Sequence, residues 1–263
     1  MFATPSILDP YLLNTTGRVG YSILDGKAIR SPRINMGENT AFFICVGQSL
    51  FANTVNAQYV PTHASKIDQL SVFDGGCYNC VDPVIGPDGS TPIGGTFFGQ
   101  LADKLITDGF YQRVVFLPCA VGGTLVSRWQ PGGDLNHRLV AAGTRAYASN
   151  FNVTAYLYQQ GEADNAAATP QANYQASLNY MISGERAAGR NAPWLIAKST
   201  FAGGEVSAAI QAAQVAVRNG VDILAGADTD TLGVGVRHDG THLTALGAMQ
   251  AAALWATAIV AAL

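Results

Sequence analysis

Apolar positions fall in short unbroken runs, and between the runs lie segments with helical spacing. The first strong run is Ala41-Phe42-Phe43-Ile44-Cys45-Val46. It carries no charge, which predicts a strand buried on both faces over 41–46. Gly47-Gln48-Ser49 ends it, and Ser49 opens a short helix or turn. Phe98, Leu101, Leu105 and Ile106 recur at helical spacing, so a helix is expected over Phe97–Asp108, with Gly109 as its stop. Further buried strands are expected at Gln112–Cys119, Val153–Tyr158, Trp194–Lys198 and Val221–Leu224. Helices are expected at Asn136–Ser149, 170–188 and near 204–218. A final helix runs from Ala245 to about Ala261, with Thr244 as its cap. Strands alternate with helices throughout. That alternation predicts an α/β fold, a three-layer sandwich around a five-stranded parallel sheet.

Two segments do not fit the alternation. Residues 1–40 carry Pro5, Pro10, Gly17, Gly20, Gly26 and Pro32, which predicts an irregular lead-in packed on the domain, with a hairpin around Tyr21–Ile29. The domain proper is then 41–263. Residues 55–95 are rich in glycine, proline, asparagine and aspartate and read as one long connection, which in a compact domain is usually functional.

Composition narrows the class. The 263 residues are 48% hydrophobic and 13% charged, which suits one large domain with a substantial core. A net charge of -3 gives no basic footprint for nucleic acid. No run of 18 apolar residues is present, so no membrane span is expected. The N-terminus lacks a basic stretch followed by an apolar one, so no signal peptide is read from it. The localisation is left open between secretion and membership of a surface or virion assembly. Cys45 and Cys119 end apolar runs and read as buried small hydrophobes. Cys77 and Cys80 read as a local disulfide or two free thiols.

Polar clusters recur where strands end. Gly47-Gln48-Ser49 follows the first strand, Gly122-Gly123 the second and Gln160-Gly161-Glu162 the third; Asp239-Gly240-Thr241-His242 precedes the last helix. Parallel strands bring their carboxyl ends to one rim, where ligands of open α/β sheets bind. A hydroxyl, an imidazole, a carboxylate and oxyanion donors are what acyl transfer requires. Asp239 and His242 are three apart, so in a tight turn the carboxylate can reach Nδ1 while Nε2 faces outward. His238 has Gly235 three residues before it rather than an acid, and His63 and His137 have no local partner pattern.

The Gly-Gln-Ser, Gly-Gly-Thr, Gln-Gly-Glu-Ala-Asp and Asp-Gly-Thr-His blocks, in that order, resemble the SGNH (GDSL-type) hydrolases, in the branch of carbohydrate acetylesterases related to sialate O-acetylesterases. The resemblance implies a flavodoxin-like sheet and a serine esterase with no metal and no cofactor. It implies Ser49 as nucleophile and backbone oxyanion donor, Gly122 or Gly123 as a second donor with Gly122 favoured, and Gln160 as the side-chain donor. His242 becomes the base and Asp239 its acid, while Glu162 matches a glutamate also assigned as the acid in this branch. Leu50 departs from the asparagine that commonly follows the serine. Gln48, Trp129 and Arg128 are expected on the substrate side, Trp129 either stacking on a sugar or packing in the core.

The expected activity is removal of short acyl groups, most simply acetyl, from a carbohydrate or other hydroxylated substrate. Other readings stay open. An α/β-hydrolase needs glycine two residues after the serine, where Phe51 stands. A metal hydrolase could use His238, Asp239 and His242. A lipase or thioesterase of the same fold would differ in acyl substrate. A carbohydrate-binding protein would keep the pocket without turnover. The oligomeric state is not read from the sequence.

Overall fold

The computed structural model describes residues 27–29, 38–89, 94–149 and 151–263. Seven strands form one sheet: β1 (Thr40–Gly47), β2 (Ile67–Leu70), β3 (Cys77–Asn79), β4 (Arg113–Pro118), β5 (Ala155–Gln159), β6 (Trp194–Lys198) and β7 (Ile223–Asp228). Their order is β3-β2-β4-β1-β5-β6-β7, and every pairing is parallel except β2 with β3. The expected α/β sandwich is found, with seven strands rather than five. The two added strands lie inside the 55–95 segment that read as a connection.

Their concealment has a physical cause. β2 is Ile-Asp-Gln-Leu, and Asp68 and Gln69 are wholly buried. Asp68 pairs with the Arg113 guanidinium. Gln69 donates to the Asn79 carbonyl and accepts from the Ile85 amide. Paired polar groups can be buried at little net cost, so the strand lacks an apolar signature. The lead-in and its hairpin lie largely outside the described residues; within them, Ile29 bridges Tyr78 in antiparallel fashion.

β1 occupies the middle because its side chains suit two cores at once. Phe42, Ile44 and Val46 face one layer, and Ala41, Phe43 and Cys45 the other, as the twofold strand period demands. The first layer includes α2 (Asn136–Ala148), α4 (Gln171–Ala187) and α5 (Ala208–Ala216). The second includes α1 (Phe98–Thr107) and α6 (Ala245–Ala262). A short α3 (Glu162–Ala166) precedes α4. Ser207 caps α5 through the Ile210 amide, and Thr244 caps α6 through that of Gly247, as its sequence position predicts.

α6 carries no charged residue and is long and apolar enough, by length and composition, to cross a membrane. Its Ala248, Ala251, Trp255 and Ile259 are nevertheless core residues of the second layer. All four cysteines are free thiols, so Cys77 and Cys80 are not bridged.

β4 lies on one side of β1 and β5 on the other. The chain thus changes direction across the sheet beside β1, which makes its carboxyl end a switch point and the favoured place for a ligand.

Candidate active site

At that carboxyl end the backbone of Gly47 lies against β5. A Cβ there would sit 1.9 Å from the Gln159 carbonyl oxygen, and φ is +143°. Only glycine fits. The Gln48 amide then donates to the same oxygen at 3.0 Å, and the chain turns into a single 3-10 turn, Ser49–Phe51. Phe51 is the anchor of that turn. Its buried ring lies 5.4 to 5.6 Å from those of Phe97, Phe98 and Trp255, and burying such a ring contributes ~1.5–3 kcal/mol. Thr54 Oγ1 fixes the turn further by donating to the Ser49 carbonyl at 2.6 Å. The Ser49 side chain is left in a cleft of about 400 Å³, shared with Gln48, Thr54, Gly89, Gly122 and Gly123 and, across the rim, Glu162, Ala163, Ala202, Thr241 and His242.

The second wall follows β4. A Cβ on Gly122 would lie 3.6 Å from that of Ser49, so the loop passes directly over the hydroxyl. The Gly122 amide donates to the Asp88 carbonyl at 2.7 Å. Among the described residues the amides of Ser49 and Gly123 have no such partner. Of the two glycines, Gly122 has its N–H engaged and Gly123 has its N–H open among the described residues.

Gln160 is placed otherwise than expected. It is fully buried and does not line the cleft. Its Nε2 donates to the Thr124 carbonyl at 2.9 Å and to Asp164 Oδ2 at 2.5 Å, while Oε1 accepts from Tyr158. Asp164 Oδ2 also accepts from the Val126 amide. Gln160 thus clamps the loop over Ser49 from behind. Trp129 is wholly buried in the core, with its indole N–H on Thr124 Oγ1, so it packs and does not stack on a ligand. Arg128 is engaged by Asp134 and also stays off the cleft wall.

Gln48 does reach the cleft. Its Oε1 accepts from the amides of Gly161, at 3.4 Å, and Ala163, at 3.2 Å. Two donors on one side fix the amide orientation and leave its NH₂ as the free end. Gly161 must also be glycine. A Cβ would meet the Ser199 carbonyl oxygen at 2.1 Å, and φ is +156°.

Glu162 lines the cleft at 2% exposure. One carboxyl oxygen accepts from Ser199 Oγ, and the other, Oε2, is buried with no hydrogen-bond partner among the described residues. Burial pushes its pKa up to about 7, against the lowering effect of the Ser199 hydrogen bond. No hydrogen bond joins it to His242 among the described residues.

The last loop brings the imidazole. His242 Nδ1 lies 2.6 Å from Asp239 Oδ2, and Asp239 Oδ1 accepts from the amides of His242, at 2.7 Å, and Thr241, at 3.0 Å. Partial burial pushes the Asp239 pKa up, but these hydrogen bonds outweigh it and hold the carboxyl at about 2. Arg237, unnoticed in the sequence, ties this loop together. Its guanidinium donates to the carbonyls of Thr229, Leu232 and Thr241 and stacks 4.4 Å over Phe201. Among the described residues, His238, Asp239 and His242 form a group in which each offers a ligand atom within 4.8 Å of the others, close enough to share a metal ion. The cleft thus gathers a hydroxyl and amides without hydrogen-bond partners among the described residues, and an imidazole fixed by a carboxylate, the parts that serine acyl transfer requires.

Comparison with known proteins agrees with that chemistry. The family model described as carbohydrate esterase, sialic acid-specific acetylesterase matches residues 93–261. A search of curated proteins gives no match. Among solved structures, a protein from Arabidopsis thaliana superposes with a TM-score of 0.71 at 20% identity, covering 85% of this chain and 98% of that one. NanS gives 0.60 at 14% identity, covering 85% and 97%. An acetyl-xylooligosaccharide esterase from Geobacillus, Axe2, gives 0.52 at 12% identity, covering 86% and 96%. At these identities the structures share the fold, which is that of the SGNH hydrolases. The family match spans more than half of the chain, and the chain belongs to the sialic acid-specific acetylesterase family of carbohydrate esterases, a group of carboxylic ester hydrolases.

Proposed function

We propose that the protein removes acetyl groups from an acetylated carbohydrate through an acyl-enzyme on Ser49. The observation that carries this reading is the 2.6 Å contact of His242 Nδ1 with Asp239 in the cleft that also exposes Ser49. A carboxylate at Nδ1 keeps the ring proton there, so Nε2 is the basic nitrogen. His242 Nε2 takes the proton of Ser49 as Oγ attacks the ester carbonyl. The developing oxyanion is met by the amides of Ser49 and Gly123, and the free NH₂ of Gln48 supplies a donor on the opposite wall. His242 then protonates the leaving sugar hydroxyl. Water attacks the acyl-enzyme with the same imidazole as base, which restores Ser49 and releases acetate.

Asp239 is the acid in this scheme. Glu162, the other candidate, has one oxygen on Ser199 and its carboxyl held protonated up to about pH 7, which makes it a poor partner for an imidazolium. The acetyl preference rests on the family description and on the small side chains of Ala163 and Ala202 in the cleft wall. A non-catalytic sugar-binding role is disfavoured by the pairing of His242 with Asp239, which binding alone does not need.

Hydrolysis of p-nitrophenyl acetate, and acetate release from a panel of acetylated glycans, test the reading. Ser49→Ala should lower kcat by at least ~10³-fold with the fold intact. A fluorophosphonate should label Ser49 in the parent and nothing in the variant. Label on another residue, or unchanged turnover, removes Ser49 from the mechanism.

A further inference from the structure

His238 plays no part in the scheme above, yet its orientation is closely set. Its Nε2 lies 3.1 Å from the Thr54 carbonyl oxygen. A carbonyl only accepts, so Nε2 carries the proton and, in the neutral ring, Nδ1 carries a bare lone pair. That lone pair faces Asp239 Oδ2 at 3.9 Å, and the same oxygen is 2.6 Å from His242 Nδ1. The two imidazoles face each other with their planes 28° apart and centroids 6.0 Å apart. A lone pair beside a carboxylate is repelled unless positive charge, a proton on Nδ1 or a metal ion, lies between them. The backbone carbonyl on the far nitrogen is also the outer contact that metal-bound histidines usually have.

We propose that His238 Nδ1, Asp239 and His242 Nδ1 form a site for an imidazole-preferring divalent transition ion such as Zn²⁺, and that the ion switches the esterase off. Two imidazole nitrogens and one carboxylate are a zinc-type donor set, with water in the fourth position. Ligands about 2.0–2.1 Å from a tetrahedral ion stand roughly 3.3–3.4 Å from one another. The two separations from Asp239 Oδ2, 2.6 and 3.9 Å, bracket that value, and one ligand atom from each of the three residues lies within 4.8 Å of the others.

Inhibition follows from the tautomer. In the working enzyme the His242 proton is on Nδ1, shared with Asp239, and Nε2 is free to accept. When the ion takes the Nδ1 lone pair, the one ring proton moves to Nε2. No proton is gained or lost, but Nε2 can no longer accept from Ser49. The ion also occupies the Asp239 oxygen that would stabilise the imidazolium. The inhibitory half rests on His242 being the base, as proposed above; the binding half does not.

The test is a titration of the purified protein with Co²⁺, followed by its visible d–d absorption, together with ester hydrolysis in the presence of Zn²⁺ or Mg²⁺. The expected result is a saturating one-equivalent absorption band and full inhibition by Zn²⁺, reversed by chelator and not produced by Mg²⁺. His238→Gln keeps a donor for the Thr54 carbonyl but loses the ring lone pair. It should retain basal activity, lose the Co²⁺ band and need at least about 10-fold more Zn²⁺ for half-inhibition, since even loss of an outer contact costs roughly 10–100-fold in metal affinity. No saturable band in the parent protein, or the same half-inhibiting Zn²⁺ concentration in His238→Gln, overturns the proposal. Should the protein hydrolyse no acetyl ester at all, the functional reading fails while the absorption titration still decides the ion site.

Discussion

Glu162→Gln should make the protein more stable in alkali and leave it nearly unchanged in mild acid. The wild-type carboxyl is buried, one oxygen has no hydrogen-bond partner among the described residues, and it holds its proton up to about pH 7 against an ordinary value of 4.5. Between those values the folded protein keeps a proton that the unfolded chain has released. Raising the pH through this window therefore favours unfolding, and the loss is complete above the folded value. At about 1.4 kcal/mol per pH unit, the interval is worth at most about 3.5 kcal/mol. Glutamine is neutral throughout and can still accept from Ser199.

Urea unfolding of both proteins at pH 4.5 and pH 8.5 isolates the effect, because groups common to the two cancel. Asp239, held at about 2 against an ordinary 3.8, changes stability only at pH below about 4, where its loss of charge removes the hydrogen bonds from His242 and Thr241. The expected outcome is near-equal stability at pH 4.5 and a gain of up to about 3.5 kcal/mol for the variant at pH 8.5. With a urea slope of roughly 1–3 kcal/mol per molar, that is a midpoint shift of about 1 M or more. Equal offsets at both pH values, or no gain at pH 8.5, would show that the native cleft does not raise the pKa of this carboxyl.

Asp239→Asn should lower kcat by up to ~10⁴-fold on p-nitrophenyl acetate, and Glu162→Gln by far less, because Asp239 and not Glu162 bonds His242 Nδ1; the reverse ranking would make Glu162 the acid. Trp129→Ala should cost about 3–5 kcal/mol in chemical unfolding, as loss of a buried indole does, with KM for a small ester unchanged; a change confined to KM would return Trp129 to the substrate side. Gly161→Ala should fail to give soluble protein or lose several degrees of Tm, because the added methyl falls 2.1 Å from a carbonyl oxygen; a variant with parental Tm would refute the close approach.

The strands that were legible in the sequence are those whose burial is purely apolar. β1 and β6 read directly because nothing polar interrupts them, and β6 runs over Trp194–Lys198 as expected. β2 was hidden by Asp68 and Gln69, whose partners come from β4, β3 and the following loop and cannot be seen locally. β7 was expected at Val221–Leu224 but runs over Ile223–Asp228, since Ala-Gly-Ala gives no apolar alternation to set its end. The Asp239–His242 contact was legible because a three-residue offset closes locally. Gln160 was not, because strand faces alternate residue by residue. Gln159 bonds Trp255 on one face and Gln160 bonds Thr124 on the other, and the repeated glutamine hides which side meets the cleft. Arg237 carried no sequence signal, since its partners are all carbonyls.

The two glycines that press against neighbouring backbone bear on how this scaffold could acquire a new preference. At Gly47 a carbonyl of β5, and at Gly161 the Ser199 carbonyl just past β6, occupies the space a side chain would need, so neither position can explore alternatives without parting the rim. The rim is in effect a fixed chassis. A mutant library aimed at longer acyl groups or a different sugar should hold both glycines constant and diversify Ala163 and Ala202, which line the cleft without such a constraint.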